Sequence, residues 1–400
     1  MTLVPGTSPF VEQTAFLPRV GGCAFELLVV GSVLSAPARP PCRGVARLVF
    51  LWLDTNLFMH DNYTYHALPH VAPDEGSSMA DLVTISGGAD AGALAALARY
   101  SEEARGSFAP NTLRAMRADT AIFSAWCAKA GVNTLPADDA TVAAFVDAMS
   151  AEKAPATVRR YVASVSHMHI AAKISPNPAA SQAVKSALRR MNRAKGIAQK
   201  QVAPLNRTRL DRMLAATDQG VRGLRNRALL AVAYDTLCRR SELVQLTRAD
   251  LEINAAGDGT VTVRRSKTDQ EGAGMVRYVA ADTMRELSAW LAVAGVVDGP
   301  LFRAVNKAGA VGGGLDPGDV ARVFKKMARA AAVSAQDVAR ISGHSTRVGA
   351  AQDMVSVGLE MPAAMQAGGW KTSVMVARYT AKLDAKRSGA AKLAVLQSRG

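Results

Sequence analysis

Apolar residues recur at three- and four-residue steps between residues 110 and 197, which is the spacing of amphipathic helices. Turn-forming residues divide this stretch into four helices joined by short loops. The apolar positions that form the inner faces of the first three are Leu113, Met116, Phe123, Cys127, Val142, Phe145, Val146, Met149, Val158, Tyr161, Val162, Val165 and Met168. The pattern predicts a small helical bundle.

Residues typical of helix ends support this division. Asn111 is placed to cap the first helix and Gly131 to end it. Asp138 or Asp139 can cap the second helix, and Pro155 stands where a first-turn proline opens the third. The fourth helix runs into a basic stretch, which we expect to finish the bundle.

The second half of the chain combines more helical patterns with one clear β segment. Two β-type runs, residues 260–264 and 276–280, flank a loop that contains Gly272 and Gly274, and this predicts a hairpin. Helical patterns cover residues 207–216, 224–237, 242–246, 282–294, 319–332, 346–357, 362–367, 374–382 and 385–396. The fold class is therefore predicted to be mainly α with a small β hairpin.

Changes in composition predict the domain boundaries. The bundle is expected over residues 105–195, a basic and polar linker over 196–203, and an α-rich second domain over 204–400. Residues 1–78 are different, because they contain four arginines and no lysine, and their apolar runs are too short to span a membrane. We expect translation to begin at Met79, or else the first segment to be a poorly ordered tail.

The net charge points to a polyanionic partner. Lys and Arg number 48 against 33 Asp and Glu, a formal charge of +15, which favours nucleic acid first and an anionic membrane surface second. Basic residues lie off the apolar faces of the predicted bundle, where they are expected to contact phosphates. These candidates are Arg114, Arg117, Arg159, Arg160, Lys185, Arg189 and Arg190.

Cysteine and histidine usage gives no sign of a metal site. The four cysteines form neither a CxxC pair nor a Cys/His cluster, so neither a disulfide framework nor a zinc site is predicted, and a reducing cytoplasm is expected. His167 and His169 lie two residues apart in an apolar helix. We expect them to be packed or surface histidines.

The stretch from residue 342 to 379 collects side chains suited to phosphoryl chemistry. His344 and Arg347 lie three residues apart at a helix start, so both can reach the oxygens of one phosphate. A Gly-Gly turn leads to Trp370, and Tyr379 follows on a short basic helix. A tyrosine hydroxyl can attack a phosphate and form a covalent phosphotyrosine.

Such a reaction needs more positive charge at the phosphate oxygens than Arg347 alone supplies. It also needs a proton donor for the leaving oxygen. In the motif AYDTLCRRSEL, Arg239 is a candidate second guanidinium, with Glu242 three residues later to orient it; Arg240 is the alternative. Lys267, in the hairpin, is a candidate general acid. Each residue alone is more often a surface residue, and the prediction depends on their order along the chain.

The order of these motifs resembles the tyrosine recombinases, also called the integrase family. The resemblance runs from about residue 107 to the C-terminus and rests on AYDTLCRRSEL, the hairpin around SKT, SGHSTRVGAAQDM, MPAAMQAGGW and Tyr379. It implies a SAM-like, core-binding bundle followed by the recombinase catalytic fold. The catalytic residues that it implies are Arg239, Glu242, Lys267, His344, Arg347, Trp370 and Tyr379.

The same resemblance implies a mechanism and partners. The two arginines would clamp the scissile phosphate of duplex DNA, and Tyr379 would hold the 3′-phosphate covalently without metal, ATP or another cofactor. Lys267 would protonate the leaving 5′-oxygen. The chain is expected to be a monomer free in solution and a homotetramer on inverted-repeat sites, donating residues 385–396 to a neighbouring protomer. No membrane partner is expected.

Three other functions compete with this interpretation. A type IB topoisomerase uses the same Arg, Lys, His and Tyr chemistry but needs no tetramer. A DNA-binding protein without catalytic activity is a second alternative, although every catalytic position is filled here. A directional integrase that requires accessory bending proteins is the third, within the family.

Overall fold

The computed structural model describes residues 88–400, except residues 199, 267, 268, 270, 271, 387 and 400 and the side chains of residues 382, 384 and 386. Residues 1–78, the start proposed at Met79, and Lys267 lie outside the described residues. The described chain is mainly α-helical, as the pattern predicts, and it contains two small antiparallel sheets.

The N-terminal helices pack around one apolar core. They are α1 (Ala91–Glu103), α2 (Pro110–Ala130), α3 (Asp139–Glu152), α4 (Pro155–Ala171) and α5 (Gln182–Lys195), with a 3₁₀ turn at Pro178–Ala180. The sequence pattern starts the bundle at residue 105, whereas α1 precedes that point and adds Ala93 and Leu97 to the same core. The pattern missed α1, in which Leu94, Leu97 and Tyr100 are the large apolar residues among many alanines.

The helix ends follow the predicted chemistry with one correction. Helix α2 begins at Pro110 with Ala109 as its N-cap, so Asn111 is not the cap. The Asn111 side chain instead accepts a hydrogen bond from Arg114 Nη1 (2.6 Å), because proline at the first helical position already fixes the backbone there. Gly131 ends α2 in the left-handed conformation, and Asp138 caps α3 by accepting the Thr141 N–H.

A buried ion pair joins α2 to α4 within the bundle. Asp119 is fully buried, and its carboxylate lies 2.8 Å from Arg160 Nη1 and accepts a hydrogen bond from Ser164 Oγ (2.9 Å). Burial raises the pKa of Asp119 to about 6, while the Arg160 charge and the Ser164 hydrogen bond oppose that rise. The bundle core therefore holds a charge whose partner is one of the predicted DNA-contact residues.

Both histidines of α4 are packed. His169 Nδ1 lies 2.9 Å from the Val165 carbonyl, and its Nε2 accepts the Ala137 N–H at 3.0 Å, so the ring is neutral. His167 packs edge-on against Tyr100 and Phe108. Among the described residues, His, Cys, Asp and Glu form no group that is suited to hold a metal ion.

The second part of the chain holds ten α-helices, a 3₁₀ turn at Arg248–Asp250 and five strands among the described residues. The helices are α6 (Arg207–Ala215), α7 (Val221–Thr236), α8 (Arg240–Gln245), α9 (Ala281–Ala294), α10 (Pro317–Ala330), α11 (Ala335–Arg340), α12 (Ser345–Ser356), α13 (Met361–Gly368), α14 (Ser373–Lys386) and α15 (Gly389–Leu396). The strands are β1 (Leu251–Ile253), β2 (Gly259–Val263), β3 (Met275–Val279), β4 (Arg303–Val305) and β5 (Val311–Gly314). The pattern missed α11, β1, β4 and β5, all of which are short.

The predicted hairpin forms strands β2 and β3 of a three-stranded antiparallel sheet in the order β1-β2-β3, in which β2 is central. Val261 pairs with Leu251 on one side and Arg277 on the other. Side chains alternate along β3, so that Tyr278 is exposed while Arg277 and Val279 face inward. A charged residue thus occupies a buried position of this strand.

Two apolar clusters organise this part of the chain. The larger surrounds α7, which is buried on nearly every side, and includes Trp290 and Phe324. The smaller gathers α12, α13 and α14, and contains Trp370 and Tyr379. Within the described residues, no helix has both the length and the apolar character that a bilayer crossing requires.

We predict that Asp119→Ala will destabilise the bundle by about 3–5 kcal/mol, because it leaves the partly buried Arg160 charge without its carboxylate. Native-state hydrogen exchange of the α2 and α4 amides measures this local free energy. Asp147→Ala is the matched control, since Asp147 pairs with Arg190 on the exposed surface and such pairs contribute about 1 kcal/mol or less. Equal losses in the two variants would contradict the prediction.

Candidate active site

The N-terminus of α12 presents two of the predicted site residues. His344 is the N-cap residue, and its N–H donates to Ser342 Oγ (3.1 Å), which fixes the backbone before the helix. Arg347 follows in the first turn and is 1% exposed. His344 is half-buried beside it. The predicted arrangement at a helix start is therefore present.

The Arg347 guanidinium is held by two backbone carbonyls and one aromatic ring. Its Nη1 donates to the Leu237 carbonyl and its Nη2 to the Gly368 carbonyl (3.1 Å). Its Cζ lies 5.0 Å from the centre of the Trp370 ring, a cation–π distance. These contacts come from the end of α7, the end of α13 and the turn after it, so one side chain joins three segments.

The residue that ends α7 adopts an unusual conformation. Leu237 has φ 51°, a left-handed value that non-glycine residues adopt at a cost of about 1–2 kcal/mol. This turn directs the Leu237 carbonyl to Arg347, and the chain then enters α8 at Arg240, with Arg239 as N-cap. Strain of this kind persists only where surrounding contacts compensate for it.

Glu242 holds Arg239 with both of its carboxylate oxygens. Its Oε1 accepts from Arg239 Nη1 (2.8 Å) and its Oε2 from the Arg239 N–H (2.9 Å). Both residues are buried. The side-chain stem of Arg240 lies instead beside Gly343, where a Cβ on the glycine would be 3.0 Å from it. The geometry therefore favours Arg239 over Arg240 as the second guanidinium.

The two arginines influence each other electrostatically. Burial and, after it, the positive charge of Arg239 lower the pKa of Arg347 to about 10, while Glu242 and Tyr379 act in the opposite direction. Two buried guanidiniums near one carboxylate leave an excess of positive charge. An anion such as a phosphate would relieve it.

Arg277 is a further buried cation that sequence reasoning missed. From β3 its Nη1 donates to the Gln366 carbonyl (2.9 Å) and also to the Ala367 carbonyl, both at the end of α13. Burial lowers the pKa of Arg277, the carboxylate of Glu242 acts in the opposite direction and the charge of Arg239 lowers it, so Arg277 lies in the same electrostatic neighbourhood. Alternation along β3 could have revealed it, since Arg277 shares a face with Val279.

Two glycines allow Trp370 to pack over α13. Gly369 ends the helix with φ 62°. A Cβ at Gly368 would lie 2.0 Å from Trp370 Cζ3, so the indole rests directly on the backbone. The Trp370 Nε1–H is buried and meets no acceptor among the described residues, which leaves a donor available inside the site.

Tyr379 lies next to this indole. Its side chain is 4% exposed, and the two ring centres are 5.9 Å apart at an angle of 66°. The site thus brings together six of the seven predicted catalytic residues, from α8, α12, the turn after α13, and α14. Lys267, the seventh, lies outside the described residues.

The described residues around Lys267 show how the hairpin loop closes. The Asp269 carboxylate accepts hydrogen bonds from the N–H groups of Gly272, Ala273 and Gly274 at 2.8–3.1 Å. These three hydrogen bonds lower the pKa of Asp269, and the bond from the Gly274 N–H has the largest effect. The loop is therefore organised around one carboxylate two residues beyond Lys267.

The predicted DNA-contact residues differ in their surroundings. Lys185, Arg189 and Arg190 are exposed on α5, and Arg114 is exposed on α2. Arg117 is half-buried, and Arg159 Nη1 donates to Asn192 (2.9 Å). Arg160, as described above, is engaged by Asp119. DNA contact by these residues stays a prediction.

Comparison with known proteins gives one consistent result. Residues 203–386 match the model of the phage integrase family. The recombinase Cre of Escherichia phage P1 is 28% identical over 306 residues, covering 72% of this chain and 89% of the relative. An integrase/recombinase XerD homolog of Selenomonas ruminantium is 31% identical over 283 residues, covering 68% and 82%.

Solved structures share the fold. The XerH site-specific recombinase in a post-cleavage complex with palindromic difH substrate matches with a TM-score of 0.51 at 16% identity, covering 77% of this chain and 91% of that one. The Tn1549 transposon integrase in complex with transposon right end DNA gives 0.51 at 13% identity, covering 73% and 98%.

We predict that Gly368→Ala will lower stability by about 1–3 kcal/mol, because the added methyl group collides with the Trp370 indole. The free energy of unfolding in urea measures the loss. Gly313→Ala is the control, since a Cβ there meets nothing within 4 Å. A Gly368→Ala protein as stable as the control variant would contradict the packing described here.

Proposed function

Because this chain belongs to the phage integrase family and is a tyrosine site-specific recombinase, we propose that Tyr379 is its nucleophile and that the scissile phosphate of DNA binds beside Arg347. The observation that carries this assignment is the convergence of two guanidiniums, an indole and a phenol on one buried site. Phosphoryl transfer depends mostly on positioning and charge stabilisation, which such a set supplies.

Arg239 and Arg347 clamp the non-bridging oxygens of the phosphate in this proposal. A guanidinium has five N–H donors, so the two backbone bonds of Arg347 fix its plane and leave further donors for a ligand. Glu242 fixes Arg239 in a similar way. Planar, preoriented guanidiniums suit bidentate phosphate binding, which lysine cannot reproduce.

The remaining side chains handle protons and hydrogen bonds. In this proposal the buried Trp370 Nε1–H donates to a phosphate oxygen. His344 also binds the phosphate and exchanges a proton with the phenol of Tyr379. Lys267 protonates the leaving 5′-oxygen. This last assignment rests on its place in the hairpin sequence and on the resemblance to the family.

The proposed reaction conserves the energy of the phosphodiester bond. The Tyr379 oxygen attacks phosphorus, the bond to the 5′-oxygen breaks, and the 3′-phosphate remains attached to the enzyme. The free 5′-hydroxyl of a partner strand then attacks this phosphotyrosine and releases the tyrosine. Because one ester replaces another at each step, no nucleotide hydrolysis is needed, and strands exchange through a Holliday junction.

The partners that we propose are duplex DNA with inverted-repeat sites and three further copies of the chain. Helix α15 supports the proposed assembly with further copies, because its apolar side chains are exposed. The exposed fraction is 48% for Leu393, 74% for Val395 and 83% for Leu396. Donation of this helix to a neighbouring protomer would cover them and close a ring of four. The free protein is proposed to be a monomer.

The bundle is proposed to hold the DNA through its basic residues. Lys185 and Arg189 are exposed on α5, Arg190 is exposed there and pairs with Asp147, and the net charge of +15 supports extensive phosphate contact. Since its substrate is DNA, we propose that the enzyme acts in the cytoplasm of the cell that carries its gene.

Two of the functions considered from sequence, the type IB topoisomerase and the DNA-binding protein without activity, are not favoured. The relatives that match are recombinases and integrases, and none of those reported above is a topoisomerase. A DNA-binding protein without activity would not need to retain a buried tyrosine beside two buried arginines.

Covalent trapping tests the nucleophile. The probe is a duplex that carries inverted repeats from DNA flanking the gene, nicked in the spacer so that the cleaved fragment diffuses away, with EDTA present. We predict a protein–DNA adduct that survives denaturation with the native protein and is lost in Tyr379→Phe, because the phenol oxygen forms the bond. Denaturing electrophoresis detects the adduct.

Two results would contradict this assignment. An undiminished adduct in Tyr379→Phe would move the nucleophile elsewhere. Absence of any adduct with the native protein, on the flanking repeats and on duplexes recovered by in vitro selection for binding, would argue against the recombinase mechanism. Tight binding of Tyr379→Phe to the same duplex provides the control for folding.

A second prediction concerns Glu242→Gln, which keeps the size of the side chain but replaces one carboxylate oxygen with a donor. Loss of a charge-assisted bond to Arg239 should slow adduct formation about 10- to 100-fold with little change in DNA affinity. Single-turnover cleavage and the dissociation constant measure the two effects. Glu286→Gln, which alters the ion pair with Arg227, is the control and should cleave at the native rate.

A further inference from the structure

The segment that joins α5 to α6 is bound along the catalytic helices. The Ala203 N–H donates to the Arg340 carbonyl (3.1 Å), and Arg340 Nη2 donates back to the Gln201 carbonyl (2.9 Å). The Leu205 N–H donates to the Ser345 carbonyl at the start of α12 (2.9 Å). Residues 201–205 therefore have the fixed backbone hydrogen bonds of a structural element.

The same segment is in backbone contact with α12. A Cβ at Gly349 would lie 2.0 Å from the Leu205 carbonyl oxygen, so the glycine is required for this approach. Gly349 is two residues beyond Arg347, and the joining segment consequently has a defined position relative to the helix that carries this arginine.

From this position the segment reaches the residue that carries the nucleophile. Gln201 Nε2 donates to the backbone carbonyl of Tyr379 (3.1 Å), and Gln352 Nε2 of α12 donates to the same oxygen (2.9 Å). Val202 packs against the apolar cluster that contains Trp370 and Tyr379. Two side-chain amides from two separate elements thus meet on one backbone atom in α14.

A carbonyl held from two directions fixes both the rotation of α14 about its axis and its position along that axis. The phenol of Tyr379 projects from the same residue, so these two bonds set where its oxygen lies. Attack on phosphorus is sensitive to such placement, and a misplacement of about 1 Å can reduce a rate on the order of 10²-fold.

We propose that Gln201 and Gln352 are positioning residues for the nucleophile, acting through the Tyr379 carbonyl. This inference rests on the proposed function, since it takes Tyr379 as the attacking group. It assigns a role in cleavage to the segment that joins the bundle to the catalytic helices. Neither glutamine touches the phosphate in this scheme.

The test compares Gln201→Met and Gln201→Glu, two replacements of similar size. Methionine removes the donor, and glutamate replaces it with an acceptor that repels the Tyr379 carbonyl. On the nicked duplex described above, we expect single-turnover adduct formation to slow on the order of 10-fold in Gln201→Met and further in Gln201→Glu. The DNA dissociation constant and the thermal unfolding midpoint should match those of the native protein.

Matched variants complete the design. Gln336→Met and Gln336→Glu, on the exposed surface of α11, control for loss of an amide and for added charge and should cleave at the native rate. Gln352→Met should slow cleavage like Gln201→Met. Because both bonds end on one atom, the double variant should not show the product of the two single effects.

The outcomes separate this inference from the function on which it rests. An active native protein with an unimpaired Gln201→Met variant would overturn the inference alone. So would a rate loss that follows a lowered melting point or weaker DNA binding, or a Gln201→Glu variant as fast as Gln201→Met. A native protein that forms no adduct would overturn the proposed function, and the inference with it.

Discussion

Burial of the Arg347 guanidinium is the interaction on which the catalytic part of this chain depends. A buried charge is costly unless its donors find acceptors, and here the acceptors are backbone carbonyls rather than a carboxylate of its own. The Leu237 carbonyl is presented by a left-handed turn at the end of α7, and the Gly368 carbonyl belongs to a glycine against which the Trp370 indole packs directly. The arrangement leaves the positive charge uncompensated, which suits a site for an anion.

Buried arginines are compensated differently in the two parts of the chain. In the bundle, Arg160 has a dedicated carboxylate in Asp119, and the pair ties two helices together with little net charge. Around Arg347, the carboxylate of Glu242 binds Arg239, and a third guanidinium, Arg277, lies within the electrostatic influence of the same carboxylate. The neutral ion pair in the bundle stabilises helix packing, whereas the excess positive charge around Arg347 favours binding of an anion.

Much of the fold and of the candidate site could be predicted from sequence, and physical reasons explain which features could not. Helix periodicity and caps predicted the bundle, and alternation predicted the hairpin; family membership and fold are confirmed. Two local predictions failed. Helix α1 has few large apolar residues and was missed, and the helix predicted to be capped by Asn111 begins instead at Pro110 with Ala109 as its N-cap. Gln201 meets Tyr379 across 178 positions of sequence, a contact that no local pattern encodes. Catalytic roles for the site residues, including Lys267, stay predictions.

The bound segment at residues 201–205 changes where this protein can be divided. The boundaries drawn from composition place residues 201–203 in a linker and start the second domain at residue 204, yet residues 201–203 share hydrogen bonds and packing with the helices of the catalytic part. A chimera that grafts a foreign DNA-reading bundle onto this catalytic half should therefore join the two sequences between Gly196 and Lys200. A junction a few residues later would import a foreign side chain at position 201 and leave the grafted enzyme able to find its site but slow to cut it.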